Sequence, residues 1–264
     1  MCSRADLQFH KHTLAVPEQV VKRLKKGVLS FREDEIRQPT IELSPPMTPE
    51  DVPLPPSAEE ANDYLNAIDL YREAECESDY EDRMSRTEEV LEVFSKIANL
   101  HNKHSPKAEY FQALCQLELA ENMIDPEEQL SGLESLLTLL QKIQNPLHPH
   151  FAQAKYLEGY CRCRLLVKTE PQLIIATLQK AVACFENVRN RTYVYFQDSQ
   201  YWQGYCRYRL GKLERGQRDK MVNFDQARWN LLNVTDKNNL YYVQAQLLSL
   251  QCAFEISQVS HIPV

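Results

Sequence analysis

The chain has 264 residues, of which 43% are hydrophobic and 25% charged, and its formal net charge is −7. These proportions are ordinary for a soluble globular protein, and the acidic balance argues against nucleic acid as a partner. Only 6 glycines occur, which disfavours strand-rich folds and glycine-rich phosphate loops and indicates a mainly helical chain. No apolar run has the length of a membrane span and no secretion signal opens the sequence, so we expect a cytoplasmic protein, with the nucleus as an alternative.

The amino-terminal arm, residues 1–38, contains a predicted amphipathic helix at 17–37. Its apolar residues recur at roughly helical spacing, and four lysines or arginines lie between them. One interpretation is a contact surface for an anionic membrane or for a groove on a partner. A second is a nuclear-import patch, and a third is a helix that packs on the rest of the chain with its charged face in water.

A proline-rich linker follows the arm. Residues 39–56 contain seven prolines, which deny a helix its backbone donors and favour extended chain. Within this linker Ser44 and Thr48 each precede a proline, and we expect them to be substrates of proline-directed kinases, so the chain would be a phosphoprotein. The composition then changes, and we predict one helical repeat domain over 57–264.

A repeated segment dominates this domain. Each copy has a tyrosine, a small residue three positions later and apolar residues four and seven positions later, which is the stripe of an amphipathic helix. The last copy keeps these apolar positions poorly. The copies begin at Tyr64, Tyr110, Tyr156, Tyr201 and Tyr242, at intervals of 46, 46, 45 and 41 residues.

A second series predicts the partner helix of each pair. It consists of Phe94, Leu140, Phe185 and Leu231, each followed by an apolar residue three positions later and by Asn or Asp five positions later. The Asn or Asp predicts a helix end in the left-handed conformation, and Ser57, Ser105 and Asp125 predict N-caps. Four helix pairs and a closing helix near 238–258 therefore predict an all-α solenoid, because one pair cannot bury its apolar face alone.

This pattern resembles the tetratricopeptide repeat superfamily, whose first helix carries W-x2-L-G-x2-Y. The closest segments are Tyr64-x2-Ala67-Ile68-x2-Tyr71 and Tyr201-x2-Gly204-Tyr205-x2-Tyr208. The chain departs from the family in its period, near 45 instead of 34, and in its small residue, which falls one position early. A HEAT-like array is the alternative. The resemblance implies protein–protein binding by a concave surface.

The candidate partner site lies in residues 151–220, which carry 13 basic and 6 acidic side chains. Guanidinium groups hold carboxylates or phosphates with two hydrogen bonds, and tryptophan supplies an apolar anchor. The alternative is that acids such as Glu158 and Glu186 pair with these arginines. The residues that we expect to bind an acidic or phosphorylated protein segment are Arg162, Arg164, Trp202, Tyr205, Arg207, Arg209 and Phe111.

Cysteines and histidines are the remaining reactive side chains. Cys115, Cys161 and Cys206 fall on one repeat position and are predicted to be core residues. His101, His104, His148 and His150 lie in two successive turns and are weak candidates for a metal site. Known catalytic motifs are absent from the sequence, and we expect neither enzymatic activity nor a cofactor. The first hypothesis is therefore a non-enzymatic scaffold or adaptor, and the alternatives are a membrane or organelle adaptor acting through 17–37 and a metal-dependent enzyme.

Overall fold

The computed structural model describes residues 58–193 and 195–260, and every regular element in this part is helical. Short 3-10 helices at Leu165–Val167 and Pro171–Leu173 lie between the fifth and sixth α-helices. The described α-helices are α1 Ala58–Cys76, α2 Tyr80–Ala98, α3 Ser105–Asn122, α4 Pro126–Leu140, α5 Phe151–Arg164, α6 Ile174–Phe185, α7 Phe196–Leu213, α8 Gln217–Leu232 and α9 Tyr242–Ser260.

Each helix packs mainly against the helices that precede and follow it in the sequence, as in an α-solenoid. The prediction of an all-α array of consecutive helices is confirmed. The arm 1–38 and the linker 39–56, with Ser44 and Thr48, lie outside the described residues, and the statements about them stay predictions.

The core is continuous along the array and lies both within each helix pair and between neighbouring pairs. The large residues of the second series are fully buried, and the small residues of the first series face them. A Cβ atom added at Gly159 would lie 2.8 Å from Cζ of Phe185, and one added at Gly204 would lie 2.6 Å from Cγ of Leu231. These contacts are too short for any side chain, so the small residue allows the close approach of the paired helices that the sequence predicts.

The turns between pairs differ from the prediction of left-handed residues. Asn99 has φ −82°, and His101, with φ 53°, is the one non-glycine residue of positive φ in the described ranges. The Asn or Asp of the later turns acts through its side chain instead, in Asx turns. Side-chain oxygens of Asn145, Asn190 and Asp236 accept hydrogen bonds of 2.9, 3.0 and 2.9 Å from backbone N–H groups two residues on.

The predicted helix starts have mixed outcomes. Asp125 is the N-cap of α4, because its Oδ1 accepts from the backbone N–H of Glu127 at 3.2 Å. Ser105 is not an N-cap. It is the first residue of α3, and its hydroxyl donates to the carbonyl oxygen of Ile97 at 3.1 Å, which ties α3 to the end of α2. Ser57 lies outside the described residues.

The fifth copy of the repeat has a different register from the predicted one. Helices α3, α5, α7 and α9 begin at intervals of 46, 45 and 46 residues. Tyr242 is thus the equivalent of Phe196, the first residue of α7, and Leu247 is the equivalent of Tyr201. This register also explains the outlying interval of 41, and it adds Cys252 to the series of fully buried cysteines Cys115, Cys161 and Cys206.

An aromatic stack connects each copy to the next. The residue before each first helix lies against the tyrosine of the preceding copy, with nearly parallel rings and partners 39 or 40 positions apart in sequence. Ring centroids are separated by 4.7 Å in Tyr64–His104, 4.5 Å in Tyr110–His150, 5.5 Å in Tyr156–Tyr195 and 4.4 Å in Tyr201–Tyr241.

Candidate functional site

Arg164 belongs to a buried network. Its Nη1 lies 3.0 Å from Oε1 of Glu121 on α3 and also donates to the hydroxyl of Tyr160, while Nη2 donates to Oε1 of Gln129 at 2.9 Å. Burial acts to lower the pKa of Arg164, but the Tyr160 hydroxyl and the Glu121 carboxylate outweigh it and raise the pKa. The side chain therefore stays charged inside the protein and joins three helices.

Three aromatic residues of the predicted site lie in the core. Phe111, Trp202 and Tyr205 are buried, and Trp202 is only 1% exposed. The indole of Trp202 packs edge-on against the rings of Tyr160 and Tyr205, with both centroids 5.7 Å away. None of the three presents a ring at the surface of the described chain, and their role in partner binding stays a prediction.

Arg209 repeats the local arrangement of Arg164. It donates to the hydroxyl of Tyr205 at 2.9 Å, and its guanidinium carbon lies 5.9 Å from the centroid of that ring. The corresponding distance from Arg164 to the Tyr160 ring is 5.8 Å. The two arginines thus occupy equivalent places in successive copies, although Arg209 is only half-buried. Its role in partner binding stays a prediction.

A groove between three consecutive helices is a second candidate surface. This first groove lies between α2, α3 and α4, and its lining includes Ser95, Gln112, Gln116 and Thr138. Leu91 and Leu139 complete an uncharged lining, in which Nε2 of Gln112 donates to Oγ of Ser95 at 2.9 Å. The repeat predicts the same arrangement between α4, α5 and α6 and again between α6, α7 and α8.

Arg162 and Arg207 occupy the repeat position of Gln116, which lines the first groove. Arg162 Nη2 lies 2.7 Å from Oε1 of Glu158 on the same helix. Arg207 Nη2 lies 2.6 Å from Oε1 of Glu186, and its Nη1 donates to Gln226. Arg207 therefore spans α6, α7 and α8. Both arginines pair with the acids that the alternative interpretation named, and both are partly exposed.

The groove at α5 keeps an excess of positive charge. Glu158 faces two cations, because Lys155 Nζ lies 2.7 Å from its other carboxylate oxygen. Burial acts to raise the pKa of Glu158, but the hydrogen bonds and charges of Lys155 and Arg162 outweigh it, and the pKa is lowered. One ionised carboxylate against two cations leaves a net positive site.

Trp229 is an exposed aromatic residue that the sequence analysis missed. It is 62% exposed and lies on α8, one turn after Gln226, at the repeat position of the groove-lining Thr138. The signal was available, since Phe224, Ala227 and Leu231 mark the buried face of α8 and Trp229 falls outside that stripe. By the repeat, Trp229 and Arg207 take the positions of Thr138 and Gln116, which both line the first groove.

His148 forms hydrogen bonds with backbone groups in and near its turn. Nε2 of His148 lies 2.6 Å from the carbonyl oxygen of Pro106, and its Nδ1 accepts from the backbone N–H of His150 at 3.0 Å. Burial lowers the pKa of His150 to about 3 and lowers that of His148 as well. No group of three or more His, Cys, Asp or Glu side chains within 58–193 and 195–260 is placed to hold a metal ion.

The cysteines of the described chain are free thiols. Cys115, Cys161 and Cys206 are fully buried, as predicted for core residues. Cys163 lies beside this series, with its sulfur 3.2 Å from that of Cys206. Burial raises the pKa of Cys161 and of Cys163, so these thiols are kept protonated and away from solvent.

Comparison with known proteins does not assign the chain to a family. No family model matches this chain, and no curated protein matches it. Among the helices of the described part, none combines the length and the apolar character needed to cross a membrane.

Proposed function

We propose that the helical array is a non-enzymatic protein-interaction scaffold that binds an acidic or phosphorylated peptide or helix along its inter-helix grooves. The observation that carries this proposal is the recurrence of Arg162 and Arg207 at one position of two consecutive grooves. Each guanidinium is held in place by a glutamate, Glu158 or Glu186, and each stays partly exposed. A partner with two anionic groups could therefore meet both arginines.

The chemistry of these grooves suits an anionic ligand. A guanidinium that is already oriented loses little freedom when a carboxylate or phosphate adds to its remaining N–H groups. The surplus cation Lys155 strengthens the attraction at α5. The indole of Trp229 offers the large apolar contact that interaction sites commonly use. The basic residues of 151–220 would add long-range attraction to an acidic partner.

The array is best described as tetratricopeptide-like. Its first helices bring a small residue against a large residue of the paired helix, as Gly159 does with Phe185, and the tyrosine pattern resembles that family. The period of about 45 residues is the feature that a HEAT-like array would share.

A binding screen with matched variants tests the proposal. The full chain would be probed with an immobilised library of acidic and Ser- or Thr-phosphorylated peptides, each beside its neutral counterpart. For any peptide bound, we expect Arg162→Gln with Arg207→Gln to weaken binding at least about 10-fold, because two charge-assisted contacts are lost. The control is Arg191→Gln with Arg215→Gln, which removes the same charge from exposed positions and should bind like the wild type.

Tryptophan fluorescence gives an independent readout. The chain has two tryptophans, and Trp202 is buried while Trp229 is exposed. Peptide binding should therefore shift the emission of the wild type and leave that of Trp229→Phe unchanged. Equal weakening by both arginine double variants, or a spectral shift that survives Trp229→Phe, would contradict binding in these grooves.

A further inference from the structure

The last helix exposes an apolar stripe on its outward side. Val243, Leu247, Leu250 and Phe254 are 59 to 69% exposed. The opposite side of α9 packs on α8 and α7 through the buried residues Ala245, Leu248, Ser249 and Cys252. Four large apolar side chains in one row are more than the scattered exposure usual for a protein surface.

The corresponding face of α7 is covered. Tyr201 and Gly204 are the equivalents of Leu247 and Leu250, and α8 packs there, with Leu231 directly against Gly204. Within residues 58–193 and 195–260 no helix covers this face of α9. Leucine at the small-residue position would also keep a helix from approaching α9 as closely as α8 approaches α7. A helix that packs on this face of α9 must therefore lie farther from α9 than α8 lies from α7.

The spacing of the apolar residues in the stripe fits packing against α9 of a second copy of the chain. The steps between the four residues are 4, 3 and 4, which is the pattern of core positions in a coiled coil. The stripe is also symmetric about the midpoint between Leu248 and Ser249. An antiparallel second copy related by a two-fold axis there would set Val243 against its Phe254 and Leu247 against its Leu250, so the stripe is self-complementary.

The charge of α9 also favours a second copy. Glu255 is the one charged residue of this helix, and its Oε1 lies 3.0 Å from Nζ of Lys212 on α7. The stripe is bordered by neutral residues such as Gln251, Ser257 and Gln258. Two copies of this face would thus meet without like-charge repulsion, while an acidic or basic partner would find no complementary charge.

We propose that the chain forms an antiparallel homodimer through the outward stripe of α9. The stripe exposes on the order of 400 Å² of apolar surface, about half of what each partner buries in a standard interface, so we expect dissociation in the micromolar range. This surface is distinct from the arginine grooves, and a dimer would carry two sets of grooves and bind a divalent ligand with increased avidity.

Sedimentation velocity on the full chain tests the dimer. Between about 1 and about 100 µM, the wild type should pass from its 30.8 kDa mass to about twice that value. Leu250→Lys should raise the dissociation constant at least about 100-fold, because both copies lose a buried leucine. The control is Leu147→Lys, which makes the same change at an exposed leucine outside α9 and should dimerise normally.

Cysteine cross-linking tests the direction of the pairing. In a Cys2→Ser, Cys76→Ser background, Val243→Cys with Phe254→Cys should give a covalent dimer on mild oxidation, since the two positions meet across the interface. Neither single substitution should do so, because the two-fold axis separates each position from its own copy by about 16 Å along the helices.

Three results would overturn the proposal: a chain that stays monomeric at the highest concentration, a dimer that Leu250→Lys leaves intact, or single-cysteine variants that cross-link as readily as the double variant. At a concentration that keeps the chain monomeric, the circular dichroism and melting temperature of each variant should match the wild type, since the substituted side chains are exposed in the monomer. The peptide-binding test above uses other residues, so the two proposals fail separately.

Discussion

Helices α1 and α9 carry different residues at the same position of the repeat. Five residues after the repeat tyrosine, α1 has Asp69, which is exposed and lies 3.3 Å from Arg72. At this position α9 has Cys252, which is fully buried, as are the equivalent cysteines of α3, α5 and α7. In those helices the position is covered by neighbours, while in α1 it faces the outer end of the array.

The outer sides of the two helices also contrast. Two leucines of α1, Leu65 and Leu70, are exposed, and Leu65 stands in one row with Asp69 and the arginine that pairs with it. On α9, the whole outward row is apolar, from Val243 to Phe254. Because the exposed end faces of a solenoid are normally polar, the polar side of α1 suits contact with water, while the apolar row of α9 fits the partner proposed above.

We expect the largest effect on the free energy of unfolding from a charged residue at the buried position five residues after the repeat tyrosine. Cys206→Asp places a carboxylate in a fully buried site, and we expect it to lower the free energy of unfolding by about 4 kcal/mol or more. Asp69→Ala removes the equivalent side chain from the exposed end and should change stability by less than about 0.5 kcal/mol. Urea unfolding followed by circular dichroism measures both. Similar losses would show that this position is packed alike in α1 and in the interior helix α7.

The small-residue position gives the next largest contrast. Gly204→Leu would force a side chain into Leu231 and the backbone of α8, and we expect a loss of about 3 kcal/mol. Leu250→Ala, at the equivalent position of α9, removes an exposed side chain and should leave the stability of the monomer nearly unchanged. Thermal melts at a concentration that keeps the chain monomeric would check the pair, and a clear loss in Leu250→Ala would mean that α9 is already covered within one copy.

The turns provide the smallest contrast. His150 and Tyr195 hold equivalent stacking positions, but only histidine has an ordinary, unfolded pKa near neutral pH. Burial lowers the pKa of His150 in the folded protein to about 3, whereas the pKa of an unfolded histidine is about 6.5. Below about pH 6.5 the unfolded state therefore binds more protons than the folded state, and the free energy of unfolding decreases as the pH is lowered. Between pH 7 and pH 5 we expect a loss of about 2 kcal/mol from this group.

The variant His150→Tyr tests this assignment, because tyrosine already fills the equivalent position of the later turns. Its unfolding free energy should fall by about 2 kcal/mol less than that of the wild type between pH 7 and pH 5, measured by urea unfolding at each pH. An unchanged pH dependence would show that other groups, His148 among them, are responsible.

The sequence predicted the helical repeat because its signal is local. A tyrosine, a small residue and apolar residues at helical spacing fix one face of each first helix, and Phe94 and its equivalents fix the facing helix. The fifth copy was misaligned because Tyr242 imitates the repeat tyrosine while standing at the start of the helix. Counting from the cysteines would have given the correct register, with Cys252 as the last member.

The site was less predictable because it depends on contacts between distant residues. Arg164 and Arg162 look alike in sequence, but the carboxylate of Glu121, 43 residues before Arg164, draws that side chain inside. Which of the two tryptophans is exposed likewise depends on how each helix is turned toward its neighbours. The equivalence of Arg162 with Arg207 was visible from spacing alone, while their pairing with Glu158 and Glu186 needed the structure.

The aromatic stacks between copies have a consequence for cooperativity. Each one joins a turn to the helix of the preceding copy, so the contact belongs to two repeat units at once. In a linear array, such nearest-neighbour coupling decides whether units melt one by one or together. With a ring pair such as Tyr201 and Tyr241 at each junction of the described chain, opening an internal unit breaks stacking on both sides, and the array should therefore lose its structure in one concerted transition.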